Sequence, residues 1–320
     1  MRIPKSTKIL IFITLVLLVW ASIAVFQSSK KDTLISEDNE FAIGDSGVVT
    51  KIILKQKSVE IQLSSPFGNW VINNSMSADD EKISNLLACV YRMQIKRPVY
   101  KEQMNLALNY LKANGLDVSY WGADGLLKKF KIGYIGGSEQ ELVALMEGFQ
   151  TPYVVQVPGF EGNMAKLFDV KIESWKSRLL FSSQTSGIEK LTVQFSYYPE
   201  NGFQIIKKGN KHAVIEVPNS DSTRLYSYLQ LYENVAIKEW LGSSKKELKD
   251  SLSKQTAAFE ILLEDRKPAK SSKIKIFFNE GQKGNIYGLV GTENELCIIK
   301  TSIFEYLLQK RSFFERKSNR

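Results

Sequence analysis

The stretch FAIGDSGVVTKIIL, Phe41 to Leu54, contains Gly44-Asp45-Ser46-Gly47. A serine set between small residues beside an aspartate is a setting for acyl transfer, provided a histidine base held by a carboxylate stands next to it and donors await the oxyanion. The chain has one histidine, His212, which follows Ser46 by 166 residues. Ahead of Ser46 there is an apolar run and a short polar stretch, with no domain to supply a base. The simpler reading makes Gly44 to Gly47 the turn that feeds a strand starting at Val48, because Gly relaxes the backbone and Asp and Ser bond neighbouring amides.

Other chemistries find little to work with. The two cysteines, Cys89 and Cys297, are 208 residues apart, and with a single imidazole they offer no zinc-type ligand set. Asp79-Asp80-Glu81 reads as acidic residues at a helix N-terminus rather than a calcium loop. Gly133-Tyr134-Ile135-Gly136-Gly137 lacks the spacing of a dinucleotide site and reads as a hairpin turn. His212 reads as a structural histidine just ahead of a strand. No catalytic, cofactor-binding or metal-binding residue is expected, and the chain is read as a non-enzyme without a cofactor. One segment, TPYVVQVPGFEGN, keeps a candidate partner contact. Tyr153 lies on a strand and Pro158, Gly159 and Phe160 turn sharply after it, so that an aromatic either packs or projects.

The elements that must position these residues follow from periodicity. Val48 to Lys55, Val59 to Leu63 and Trp70 to Ile72 alternate as strands of a small antiparallel meander. Ser77 opens the helix SADDEKISNLLACVYRM, with Ile83, Leu86, Leu87, Val90 and Met93 on one face. The pattern recurs 139 residues on. Lys51 falls on Lys190, and Leu86, Leu87, Val90 and Met93 fall on Leu225, Tyr226, Leu229 and Tyr232, in a helix opened by Ser220 or Ser222. A looser third copy is expected near the C-terminus. Between the first two copies a helix runs from Lys101 to Asn114 and stops at Gly115. Strands follow at 117–121, 128–135 and 153–157, and the stretch Glu139 to Glu147 is ambiguous between helix and strand.

With 43% hydrophobic and 11% aromatic residues in 320, the chain can bury one large or two modest cores. Ile9 to Phe26 carries no charge over 18 residues, and as a helix covers about 27 Å at about 1.5 Å per residue. Arg2, Lys5 and Lys8 precede it, which predicts an N-terminus inside and a body outside. Cleavage after Ser22-Ile23-Ala24 is the competing outcome, and it exports the body equally. In that compartment Cys89 and Cys297 either pair or stay as buried thiols. The net charge of +9 falls to +6 without the N-terminal tip, and the tail KRSFFERKSNR holds +4 of that. The remainder is too nearly neutral for a nucleic-acid surface.

The expected architecture is therefore α+β, with an N-terminal transmembrane helix followed by duplicated antiparallel β-meander-plus-helix modules. Its segments are an anchor at 1–27, a tether at 28–40, modules at 41–98 and 178–242 flanking a connecting region at 99–177, a linker helix at 243–258, and a C-terminal module with a basic tail at 259–320. FAIGDSGVVTKIIL, the strand Asn-Trp-Val-Ile, the helix opened by Asp-Asp-Glu, PYVVQVPGF and RLLFS before Ile-Glu-Lys-Leu together resemble bacterial single-pass envelope proteins built on a domain of unknown function, encoded in some genomes beside gliding-type ABC transporter components. In that family the residues matching Phe41 and Asp45 introduce the first strand. The resemblance supplies no catalytic residues. With the anchor, it implies an inner-membrane protein with its body in the periplasm. That body would be a non-catalytic scaffold or accessory subunit with envelope protein partners; the alternative is a periplasmic protein binding a ligand in a groove between modules.

Overall fold

The computed structural model describes residues 41–134, 141–160, 164–242, 245–278 and 286–316, and the chain divides into two units, one ending at Lys171 and the other beginning at Ile172. In the first, a turn of 3-10 helix at Ser46–Val48 leads into β1 (Lys51–Gln56), β2 (Val59–Ser64), β3 (Val71–Ile72) and β4 (Met76–Ser77). There follow α1 (Asp80–Arg92), β5 (Gln94–Pro98), α2 (Lys101–Asn114), β6 (Leu116–Gly122), β7 (Gly125–Tyr134), β8 (Leu142–Met146) and β9 (Tyr153–Gln156). The strands form one nine-stranded sheet in the order β4-β3-β2-β1-β6-β7-β8-β9-β5, and the pairings are antiparallel.

Alternation decides which side chains meet. Ile52 of β1 stands opposite Leu63 of β2 and Tyr120 of β6. All three are buried, as are Ile83, Leu86, Cys89 and Val90 of α1. On the other face Val143 of β8 and Val154 of β9 pack with Ala107 and Leu111 of α2. The outer strand β5 carries a bulge between Ile95 and Arg97 where it meets β9. Glu141 receives Lys96 at 3.0 Å and Arg97 at 2.6 Å, and the hydrogen bond from Lys96 leads the causes that hold its carboxyl below the usual range.

The second unit contains β10 (Leu179–Phe181), β11 (Ile188–Phe195), β12 (Phe203–Lys208), β13 (Lys211–Val214), α3 (Ser222–Gln230), β14 (Val235–Ala236), β15 (Glu239–Trp240) and α4 (Lys246–Ser253). It continues with β16 (Phe259–Asp265), β17 (Ser272–Phe278), β18 (Ile286–Val290), β19 (Glu295–Ile299) and α5 (Thr301–Leu307). Apart from the β10–β14 ribbon, its eight-stranded sheet runs β13-β12-β11-β16-β17-β18-β19-β15. That is the strand order of the first unit from β3 onward, with β15 in the place of β5 and no counterpart of β4. Leu191 of β11 stands opposite Ile205 of β12 and Leu263 of β16, as Ile52 stands between Leu63 and Tyr120. Leu225, Tyr228 and Leu229 of α3 close one face together with Phe304 and Leu307 of α5. Leu252 of α4 joins Phe277, Tyr287 and Leu289 on the other.

Several expectations are corrected. The meander-plus-helix segments are not modules in themselves, because β6 pairs with β1 and β16 with β11. The stretch 99–177, expected as a connecting region, supplies β6 to β9. The C-terminal stretch, expected as a third copy, supplies β16 to β19 of the second sheet. The ambiguous stretch contains the strand β8. The helix caps are Asp79, which accepts from Lys82 N, and Asp221, which accepts from Thr223 N and Arg224 N. Neither is the expected serine; a carboxylate also complements the helix dipole.

The proposed transmembrane segment, Ile9 to Phe26, lies outside the described residues. Among the described residues no helix is long and apolar enough to cross a membrane. The longest, α2, has 14 residues, where a span needs about 20, and it carries Lys101, Glu102 and Lys112. The transmembrane helix, the single-pass topology, the membrane as a partner, the inner-membrane localisation with a periplasmic body, and the anchored scaffold with envelope partners built upon them are accordingly withdrawn.

Candidate ligand groove

Residues singled out in the sequence first find their places. Asp45 Oδ1 accepts from Gly47 N at 2.8 Å, which makes Gly44 to Gly47 an Asx-type turn into the 3-10 helix at Ser46–Val48. Neither glycine there has positive φ. A Cβ at Gly47 would come within 3.1 Å of Asp45 Oδ1, so a larger residue there would push on the capping carboxylate. Tyr153 is half-buried on β9, opposite Ala144 and Pro98. Pro158, Gly159 and Phe160 form an exposed turn, with Phe160 N donating to Val157 O at 3.0 Å and Gly159 at φ +76°. These residues belong to the first unit. Cys89 and Cys297 are free and buried, and burial pushes both thiols up to about 12.

The second unit holds a groove of about 680 Å³, within the size range of sites for small ligands. Its first wall is the 3-10 turn at Thr185–Gly187 that feeds β11, with Gln184, Thr185 and Ser186 on the groove. The tip of the β12–β13 hairpin supplies Asn210, Lys211 and His212. That tip is shaped by Gly209, at φ +60°. The floor and last wall belong to α3. Leu225 and Leu229 are buried there, Ser222 and Tyr226 are exposed, and Glu233 stands just beyond the helix.

Three sets of hydrogen bonds clip these walls together. His212 Nε2 lies 2.8 Å from the carbonyl oxygen of Ile188; a carbonyl only accepts, so Nε2 carries the proton and Nδ1 is the remaining ring nitrogen. Lys207 Nζ donates to the Ser186 carbonyl at 2.7 Å and pairs with Glu189 at 3.1 Å. Glu233 Oε1 accepts from Thr185 N at 3.4 Å and Thr185 Oγ1 at 3.3 Å. Gln184, Asn210, Lys211 and Tyr226 use no side-chain hydrogen bond or ion pair to another described residue.

The imidazole is anchored through Nε2 to a backbone carbonyl, and no serine or threonine hydroxyl is hydrogen-bonded to it among the described residues. Among the described residues no three His, Cys, Asp or Glu side chains converge as a metal would require.

Sequence reasoning placed His212 as structural and overlooked the groove. One signal was available: at the 139-residue offset, Gln184 to Ser186 falls on the Asp45 to Gly47 turn, so both copies present a polar turn where the first sheet strand begins. No family model, curated protein or solved structure matches the chain. The resemblance to envelope proteins rests on the quoted residues alone.

Proposed function

We propose that the chain is a non-catalytic binding protein whose ligand seat is the groove of the second unit. The observation that carries this reading is one conjunction: polar side chains not engaged with other described residues, set over the buried leucines of α3, in a cleft whose walls are tied by Lys207, His212 and Glu233. A seat whose walls are fixed beforehand loses less entropy on binding. The groove lies inside one unit, unlike the inter-module groove expected from sequence.

A fluorine-detected fragment screen of the full chain tests the reading. Ser186 is exposed and its side chain supports no neighbour, so Ser186→Trp fills the groove without entering the core. Fragments that bind the parent protein and are lost in Ser186→Trp support the seat. Fragments that bind both proteins alike overturn it.

A further inference from the structure

We propose that the ligand of this groove is a neutral polyhydroxylated molecule of the mono- to trisaccharide class; the proposal rests on the groove being the ligand seat. Charge excludes the commoner alternatives. Lys211 and Glu233 bring one charge of each sign to the lining, where a phosphate or nucleotide site gathers cations or open backbone amides. The nearest helix start, that of α3, has the amides of Thr223 and Arg224 already given to Asp221 Oδ1 at 2.9 and 3.1 Å. No open anion nest remains at that end. Nor does the groove suit an acyl chain, since its apolar lining is limited to Leu225, Leu229 and the ring of Tyr226, with polar groups on every other side.

The remaining lining has the mixed hydrogen-bonding character that sugar hydroxyls need. A hydroxyl both donates and accepts, so its complement must do both. The amides of Gln184 and Asn210 each carry two donors and a carbonyl, the hydroxyls of Ser186, Ser222 and Tyr226 do both jobs, and Glu233 accepts. A pyranose also has a face of C–H groups that packs on an aromatic ring. Tyr226 is 56% exposed although it stands beside the buried Leu225; its ring is a free platform at the rim, with an apolar body and a polar tip. The volume of about 680 Å³ accommodates more than one ring.

Titration calorimetry and saturation-transfer NMR on the full chain, with maltotriose, chitotriose and xylotriose as neutral probes and inorganic phosphate and octanoate as charged ones, test the proposal. The expected result is saturable binding of at least one trisaccharide. Tyr226→Ala and Asn210→Ala should each weaken it about tenfold with the unfolding midpoint unchanged, because both side chains are exposed. If phosphate or octanoate binds, is lost in Ser186→Trp, and the trisaccharides are silent, the sugar class is overturned while the seat stands. Trisaccharide binding indifferent to Tyr226→Ala, Asn210→Ala and Ser186→Trp overturns the seat itself. Silence of all five probes overturns the sugar class and leaves the seat to the fragment screen.

Discussion

Two buried tyrosines show how one hydroxyl can act in opposite senses. Tyr228 OH donates to the Leu307 carbonyl at 2.6 Å and lies 2.9 Å from Tyr232 OH. Tyr228→Phe therefore strips a donor from a buried carbonyl and should cost about 1–3 kcal/mol, read as a lower denaturant midpoint at constant slope. Tyr120 OH is buried with no hydrogen-bond partner among the described residues, so Tyr120→Phe should be neutral or stabilising in the same assay. The thiols give a pH prediction. Burial raises Cys89 and Cys297 from 9.0 to about 12 in the folded protein. The folded state then holds protons that the unfolded state has released, so this contribution is fully present below about 9 and is lost as pH rises towards about 12. A series of denaturant midpoints from pH 8 to 11 should fall, and Cys89→Ala with Cys297→Ala should flatten the fall. Thiol reagents at pH 8 should leave both residues unmodified until the protein is unfolded.

At the scale of elements, Asp221 accepts from two amides at the start of α3, and Asp221→Ala should cost about 0.5–2 kcal/mol, measurable by chemical denaturation. Ser46→Ala removes only a half-buried turn hydroxyl and should change stability by less than about 1 kcal/mol, whereas Asp45→Ala loses the acceptor for Gly47 N and should cost more. The elements themselves were largely legible. Of the expected face, Leu86, Val90 and Met93 repeat as Leu225, Leu229 and Tyr232, and each of these six residues is buried, whereas Leu87 and Tyr226, placed on the same face, are half-buried and exposed. What local pattern does not carry is which strand pairs with which. Nothing around Lys51 announces that Trp121 will stand opposite it, since alternation fixes a strand's two faces and is silent about its neighbours. The same limit hid the groove. Gln184, Asn210 and Tyr226 come from three separate elements, and the helical pattern assigned Tyr226 to the apolar face rather than to the rim of a groove.

At the scale of the molecule, each unit has its own sheet and its own buried residues on both faces. The fragments 41–171 and 172–320, expressed apart, should each unfold cooperatively by far-ultraviolet circular dichroism, and the second should keep any trisaccharide binding of the full chain. The strand order is held in common while the groove is described in one unit alone, so the architecture is compatible with different surfaces. The outer strand β5 bears on a hazard that belongs to crowded solutions. An open sheet offers unmet amides and carbonyls to any passing strand, and a second copy of the same protein is always the most abundant candidate. Along β5 the bulge after Ile95 spoils the register, Pro98 withholds an amide, and Lys96 and Arg97, which share Glu141 between them, leave a net positive charge where two such edges would have to meet. Replacing Arg97 and Pro98 together by valine should leave the melting temperature within a few degrees while lowering the concentration at which light scattering begins to climb. Self-avoidance in this protein would then trace to one short strand whose irregularities keep its own copies apart.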